Sequence, residues 1–300
     1  MFPQNSAKFP ARKTICIPLM GGLGNQLFQL SAGLYLSNRF SRYVTYTPQF
    51  FQVALPSRLT QREFRIQSLL KSSEIVIWPK WKMGAALALS RMGHPSFIRE
   101  LTSSDDSLLK SDSSLRFAIG FFQRDAFVSS VWDQLLDRMA NSAEFATVLP
   151  SRPNESVVLH IRRGDYLAAG TRSFHGYTHL SYFEDAHMTI SSIVGAKPLR
   201  VISDDIAGAQ QQLSSSRYFR NIQITFENQT YDLESLTLMA NARAVIASNS
   251  SFSWWGARLC ISAGGYATVP QPWNASPSEA DRFMHPNSDR WIILHRVIDN

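Results

Sequence analysis

The sequence predicts an α/β protein built on parallel β-sheets, and three observations carry that prediction. From residue 157 to 269 short β-branched runs alternate with helical ones, the pattern of βαβ crossovers. In the first half an apolar run at 14–20 meets Gly21-Gly22-Leu23-Gly24 and then a helical repeat, which reads as strand, glycine turn and helix. A chain of 300 residues also favours two domains over one. The polar stretch 141–156, with Pro150 and Pro153, reads as the linker, which gives domains 1–150 and 151–300.

The elements follow in order. After the glycine turn, Leu27, Leu30 and Leu34, with Ala32 and Leu36 one turn away, recur at helical spacing. The stretch 41–115 has weak periodicity, scattered prolines (Pro48, Pro56, Pro79, Pro95) and a Ser/Asp-rich patch at 103–114, so no element is assigned there. A second strand–helix pair spans 117–122 and 128–139. Beyond the linker, strands are expected at 157–161, 199–202, 222–226, 244–247 and 266–269, with helices near 182–194, 206–213, 233–241 and 252–261. No internal repeat is visible. In such sheets ligands bind at the carboxyl ends of the strands, so the residues just after each run are the candidates for chemistry.

With 44% hydrophobic and 18% charged residues the composition is globular, which excludes a disordered chain, a collagen and a disulfide-stapled scaffold. Cys16 and Cys260 lie in apolar surroundings without CxxC spacing and read as buried free thiols of a reducing compartment. The apolar run near the N-terminus is too short to span a membrane and lacks a small-residue cleavage site, so a cytoplasmic location is expected. The net charge of +7 is uneven: residues 1–100 hold 13 basic and 3 acidic side chains, while residues 151–300 hold 13 of each. An anionic partner is therefore expected for the first half. Nucleic acid is not that partner, because the segment shows no basic helix, zinc finger or RNP-type strand.

Three strand ends carry polar signals. After 157–161, a run that contains His160, come Arg162-Arg163-Gly164-Asp165-Tyr166. Paired guanidinium forks match phosphate oxygens and stay charged at any working pH, although a surface arginine pair bridged to acids would look the same. After 199–202 come Ser203-Asp204-Asp205, which either accept hydrogen bonds from sugar or base or cap the next helix. After 244–247 the segment Ser248-Asn249-Ser250-Ser251-Phe252-Ser253-Trp254-Trp255-Gly256 puts hydroxyls and an amide at a helix start, where free N–H groups and the helix dipole favour an anion. At least one of Trp254 and Trp255 reads as core. Together these features describe a site for a nucleotide carrying a diphosphate. A lectin has no use for such a clamp. The first glycine turn has Leu27 where a dinucleotide fingerprint needs its third glycine, and it lacks the Gly-Lys-Ser/Thr of a Walker A loop. Strict D-x-D is absent.

Four segments in this order, Gly21-Gly22-Leu23-Gly24-Asn25-Gln26-Leu27-Phe28-Gln29, His160-Ile161-Arg162-Arg163-Gly164-Asp165-Tyr166, Ser203-Asp204-Asp205 and Asn249-Ser250-Ser251-Phe252-Ser253-Trp254-Trp255-Gly256-Ala257, resemble the α-1,2-fucosyltransferase family, glycosyltransferase family 11, of bacterial type. Gly120-Phe121-Phe122-Gln123, His175-Gly176, Tyr182-Phe183 and Leu238-Met239 match more weakly, and the resemblance runs from about residue 14 to 275. It implies a GT-B-like fold of two Rossmann-like domains facing a cleft, with the acceptor on the first and GDP-β-L-fucose mainly on the second. It also implies an inverting transfer of fucose, without a metal or other cofactor, to the 2-hydroxyl of a terminal β-galactose in a glycan; the alternatives are a GT-B transferase using another GDP-sugar and a sugar-nucleotide- or glycan-binding protein without turnover.

On that resemblance Arg162, Arg163 and Asp165 are the expected catalytic residues. The donor contacts are expected at Gly22, Asn25, His160, Asp204, Asp205, Glu234, Asn249, Ser250, Ser251 and Phe252. The general base is left open among Asp165, His175, His179 and solvent. Family members carry an acid three to four residues before the Leu-Met pair; here that position is Ser235, so Glu234 or Asp232 is the expected reader of the guanine edge. The acceptor glycan, free or lipid-linked, is expected on the basic half. The aromatic, apolar and basic residues from Trp78 to Arg99 suit an interfacial segment, so peripheral contact with an anionic inner-membrane surface is a further expectation.

Overall fold

The structure is a computed structural model that describes residues 14–52, 62–92, 97–99, 117–151, 154–164, 175–228, 232–275, 281 and 283–299. The chain divides into two compact units, Met1–Arg138 and Met139–Asn300. Each is α/β with a parallel sheet, as the strand–helix alternation requires.

In the first unit β1 (Thr14–Pro18) leads through the glycine turn into α1 (Leu23–Phe40), followed by β2 (Tyr43–Thr47), α2 (Lys80–Arg91), β3 (Phe97–Arg99), β4 (Phe117–Ile119), α3 (Asp125–Ser130) and α4 (Trp132–Ala140). Strand order is β2-β1-β4-β3 and every pairing is parallel. Gly21 sits at φ +79, a left-handed conformation open to glycine, and so permits the sharp entry into α1. Two buried glutamines secure this entry. Gln29 accepts from the Met20 N–H at 3.0 Å and donates to the Gly120 carbonyl at 2.9 Å, while Gln26 donates to the Gly21 and Glu63 carbonyls.

The single helix expected over 128–139 is two helices broken at Val131, which takes φ −125 and ψ 16. The break follows Ser129 and Ser130, whose hydroxyls donate to Asp125 Oδ2 and the Phe127 carbonyl. Serines bonding locally in this way compete with continued helix. The segment expected as a linker differs too. Phe145 and Val148 are fully buried, Ser151 N–H donates to the Asn241 side chain at 3.0 Å, and the unit boundary falls ahead of them at Arg138/Met139.

In the second unit β5 (Val157–Ile161), β7 (Leu199–Ser203), β8 (Ile224–Phe226), β9 (Ala244–Ile246), β10 (Tyr266–Gln271) and β11 (Trp291–His295) form one parallel sheet in the order β11-β10-β9-β5-β7-β8. The helices are α5 (Leu180–Val194), α6 (Ile206–Ser215), α7 (Asp232–Ala240) and α8 (Ser251–Ser262). A separate antiparallel pair joins β6 (Tyr177–Thr178) to β12 (Ile298–Asp299). Strand β5 lies between β9 and β7 and is buried along its whole length, so its carboxyl end delivers Arg162 to the middle of the sheet edge. Trp254 and Trp255 are both fully buried, and the Trp254 indole donates to the Met284 carbonyl at 2.6 Å. Cys16 and Cys260 are buried free thiols, and burial pushes each up to about 12. Among the described residues no helix is long and apolar enough to cross a membrane.

Candidate active site

The two arginines after β5 meet the two aspartates after β7, because neighbouring parallel strands end side by side. Arg162 Nη1 lies 3.0 Å from Asp204 Oδ2, and Arg163 Nε lies 3.0 Å from Asp205 Oδ2. The Arg163 backbone N–H donates to Asp204 Oδ1 at 2.8 Å, which locks the turn to the facing acid. The side chains of Arg162 and Arg163 are 17% and 14% exposed, so neither is a loose surface cation.

The arginines differ in what else they touch. Arg163 Nη1 donates to the Tyr177 hydroxyl at 2.5 Å and to Gln212 Oε1 at 2.9 Å, with the guanidinium 5.6 Å from the Tyr177 ring centre. Gly208 on α6 leaves the room this arrangement needs, since a Cβ there would lie 2.5 Å from Arg163 Nε. Arg163 is thus a strut joining β5, β6 and α6. Asp205 serves the same frame. It caps α6 by accepting from Gly208 N–H at 3.0 Å, and that bond together with the Arg163 guanidinium holds its carboxyl below the usual range.

His160, on β5, is buried, with its Nδ1 2.9 Å from Ser248 Oγ and its ring 5.6 Å from that of Phe252. Burial pushes its imidazole down to about 4; the Asp204 carboxylate opposes this and Arg162 adds to it. His160 is therefore neutral near pH 7 and positions the β9–α8 turn rather than supplying charge. Ser250 is the N-cap of α8 with no hydrogen bond from its side chain into the helix, and Ser251 and Phe252 form the first turn half-buried. Asn249 behaves otherwise. It is 1% exposed, it donates to the His175 and Trp273 carbonyls at 2.9 and 3.2 Å, and it accepts from Thr178 Oγ1 at 3.0 Å. Both of its N–H donors are spent on backbone, so the residue expected from the sequence as a donor contact also splices two segments of the protein.

Glu234 is exposed and shares the first turn of α7 with Asp232, while Ser235 is buried. Gly22 and Asn25 belong to the first unit. Gly22 is the N-cap of α1 and faces open space, and Asn25 Oδ1 accepts from Gln123 Nε2 at 2.7 Å, which gives the Gly120–Gln123 match a purpose. Asp165 lies outside the described residues. His179 is the N-cap of α5, accepting from Ser181 N–H at 3.2 Å. Among the described residues no group of three or more His, Cys, Asp or Glu stands ready to hold a metal ion.

Sequence reasoning missed Tyr177 and Gln212, which hold Arg163, and it placed Ser248 in the hydroxyl run without its bond to His160. It also missed Arg296, which holds the strand bearing Tyr177. The one signal among the missed residues was the position of Gln212 on the helix after Ser203-Asp204-Asp205.

The arrangement can grip a diphosphate through Arg162 and the open start of α8 at adjacent strand ends. The chain is similar to several known proteins. The O-antigen biosynthesis glycosyltransferase WbnK of Escherichia coli is 24% identical over 307 residues, covering 92% of this chain and 99% of its own. An alpha-1,2-colitosyltransferase of Escherichia coli is 26% identical over 292 residues, covering 93% and 98%. Among solved structures, a mutant of Arabidopsis thaliana FUT1 in complex with GDP superposes with a TM-score of 0.45 at 10% identity, over 86% of this chain and 70% of that one. The model of Glycosyl transferase family 11 matches residues 2–294, nearly the whole chain, and the protein belongs to that family.

Proposed function

We propose that this glycosyltransferase moves L-fucose from GDP-β-L-fucose to the 2-hydroxyl of a terminal β-galactose, with inversion and without a metal. The observation that carries the reading is the Arg162–Asp204 and Arg163–Asp205 lattice at the β5 and β7 ends of a family 11 chain. The acceptor oxygen forms a bond to the fucose C1 while the bond from C1 to the phosphate oxygen breaks, and GDP leaves with the electron pair. The hydroxyl proton passes to Asp165 or to water. Charge gathers on the departing diphosphate, where a held guanidinium and a helix N-terminus stabilise it more than they stabilise the bound donor. The α-1,2 linkage is supported by the relative named for it.

The same relative favours a second reading, in which the donor sugar is colitose, a fucose without its 3-hydroxyl. Purified protein incubated in EDTA with lactose and either GDP-fucose or GDP-colitose separates the two. The expected result is an α-1,2-fucosylated product with one GDP released per transfer. Product from GDP-colitose alone selects the second reading, activity that needs a divalent ion overturns the metal-free step, and no product with either donor overturns both.

Peripheral membrane contact belongs to the same proposal. Helix α2 carries Lys80, Lys82 and Arg91 and no acid, and around it Ile77, Trp81 and Met92 are exposed by 43%, 70% and 80%. Lys82 Nζ lies 5.3 and 5.7 Å from the ring centres of Trp78 and Trp81, so charge and apolar surface share one patch. With 13 basic against 3 acidic residues over 1–100, an anionic bilayer is the matching occupant. Co-sedimentation with phosphatidylglycerol vesicles is expected, to weaken in high salt and with Trp81→Ala. Equal binding to phosphatidylcholine vesicles, or none to either, overturns this contact.

A further inference from the structure

Arg296 lies between β11 and β12 and is 1% exposed. Burying a guanidinium is costly unless its donors are satisfied, so its acceptors show where that cost is met. Nε donates to the Pro272 carbonyl at 2.6 Å. Nη2 donates to the carbonyls of His175 and Trp273 at 2.6 and 2.9 Å. Nη1 reaches the Gly176 carbonyl and Thr178 Oγ1, both at 3.4 Å. The acceptors fall on two segments, 175–178 and 272–273, far apart in sequence.

Asn249 Nδ2 donates to two of the same carbonyls, His175 and Trp273, and Thr178 Oγ1 also serves both side chains. Each of those carbonyls takes one donor from the guanidinium and one from the amide, filling its two lone pairs. The segment gripped in this way contains Tyr177, whose hydroxyl holds Arg163, and Asn249 immediately precedes the N-cap of α8. Backbone pairing of Ile298 with Thr178 and of Asp299 with Tyr177 brings the chain after Arg296 onto the same strand.

We propose that Arg296 is a positioning residue of the nucleotide site: one buried guanidinium holds in register the strand that braces Arg163 and the turn that opens α8. The proposal rests on the reading of these elements as the diphosphate clamp. It gives the Asn249 of the Asn-Ser-Ser-Phe-Ser-Trp-Trp-Gly segment its reason, as the partner of an arginine 47 positions further along. Lysine cannot replace Arg296, since one ammonium cannot reproduce a planar fork aimed at acceptors on two segments.

The test uses the full chain with Arg296→Lys, Tyr177→Phe and the double variant. GDP affinity is measured by calorimetry, and backbone amide exchange is followed by mass spectrometry. Arg296→Lys is expected to weaken GDP binding about tenfold or more, the scale of a small misplacement of binding groups. Its amide exchange should quicken at 175–178 and 248–253 together while β5 stays protected. Because both substitutions act through Arg163, the double variant should lose less than the product of the single losses. Unchanged GDP affinity in a folded Arg296→Lys, quickening confined to 291–299, or multiplied losses overturns the proposal. If Arg296→Lys does not fold, Thr178→Val, which removes the hydroxyl shared with Asn249, must loosen both segments, and loosening of one alone is equally fatal. If wild-type protein binds no GDP while Arg296→Lys still shows the paired loosening, the nucleotide reading is defeated and the mechanical coupling stands.

Discussion

Replacing Arg162 with alanine is expected to lower turnover by about 10² to 10³ while leaving the fold intact. The size follows from the charge: Arg162 is the proposed cation facing the diphosphate as it leaves, and a donor aimed at developing charge is worth most in the transition state. The fold is expected to persist because the Arg162 and Asp204 side chains keep 17% and 27% of their surface exposed, so water can reach Asp204 once the guanidinium is gone. Asp204 also keeps the Arg163 backbone N–H at 2.8 Å when its guanidinium partner is gone. Steady-state kinetics with GDP-fucose and a thermal unfolding curve check the two halves of the statement. A folded variant with full turnover would remove Arg162 from the mechanism. Arg163→Ala provides the contrast: it strips partners from Asp205, Tyr177 and Gln212 at once, so it should lower both stability and activity.

The largest loss of stability is expected for Gly256→Ala. A Cβ at Gly256 would lie 2.5 Å from Met239 Sδ and 2.7 Å from Met239 Cβ and Cε. The thioether end can swing away, but Cβ is tied to the backbone of α7, so α7 and α8 would have to part. Overpacking of this kind costs roughly 1–3 kcal/mol. In a unit of this size that lowers the unfolding midpoint by several degrees, on the order of 2–4 °C per kcal/mol. Differential scanning fluorimetry reads the change directly, and an unaltered midpoint would mean the two helices are not packed this closely.

Gly256 also shows how a motif mixes purposes. In Asn249-Ser250-Ser251-Phe252-Ser253-Trp254-Trp255-Gly256, Asn249 ties loops together, Ser250 starts the helix, both tryptophans fill the core and Gly256 admits α7. From the sequence Asn249, Ser250, Ser251 and Phe252 looked like one run of ligand contacts beside at least one core tryptophan, because spacing alone does not reveal which polar groups are already bonded to the protein. Strand β2 escaped notice for a related reason. Its Thr45 and Thr47 are buried with their hydroxyls bonded to the Ile15 carbonyl and to Gln49, so a polar-looking run is interior.

The sequence by itself determined the α/β class, the alternation of strands and helices in the second half apart from the short β6, and the delivery of Arg162-Arg163 and Asp204-Asp205 to strand ends on one edge of a sheet. Those features depend on local periodicity and on the rule that parallel strands end on one side, both of which are written in neighbouring residues. Tertiary structure alone decided that Arg163 is a strut beside Arg162, that Asn249 is a splice, and that the strand bracing the site is gripped by Arg296, 121 positions from the His175 carbonyl it binds. Hydrogen-bond capacity is finite, and which donors are left for a ligand depends on partners that only the folded chain brings within 3 Å or so.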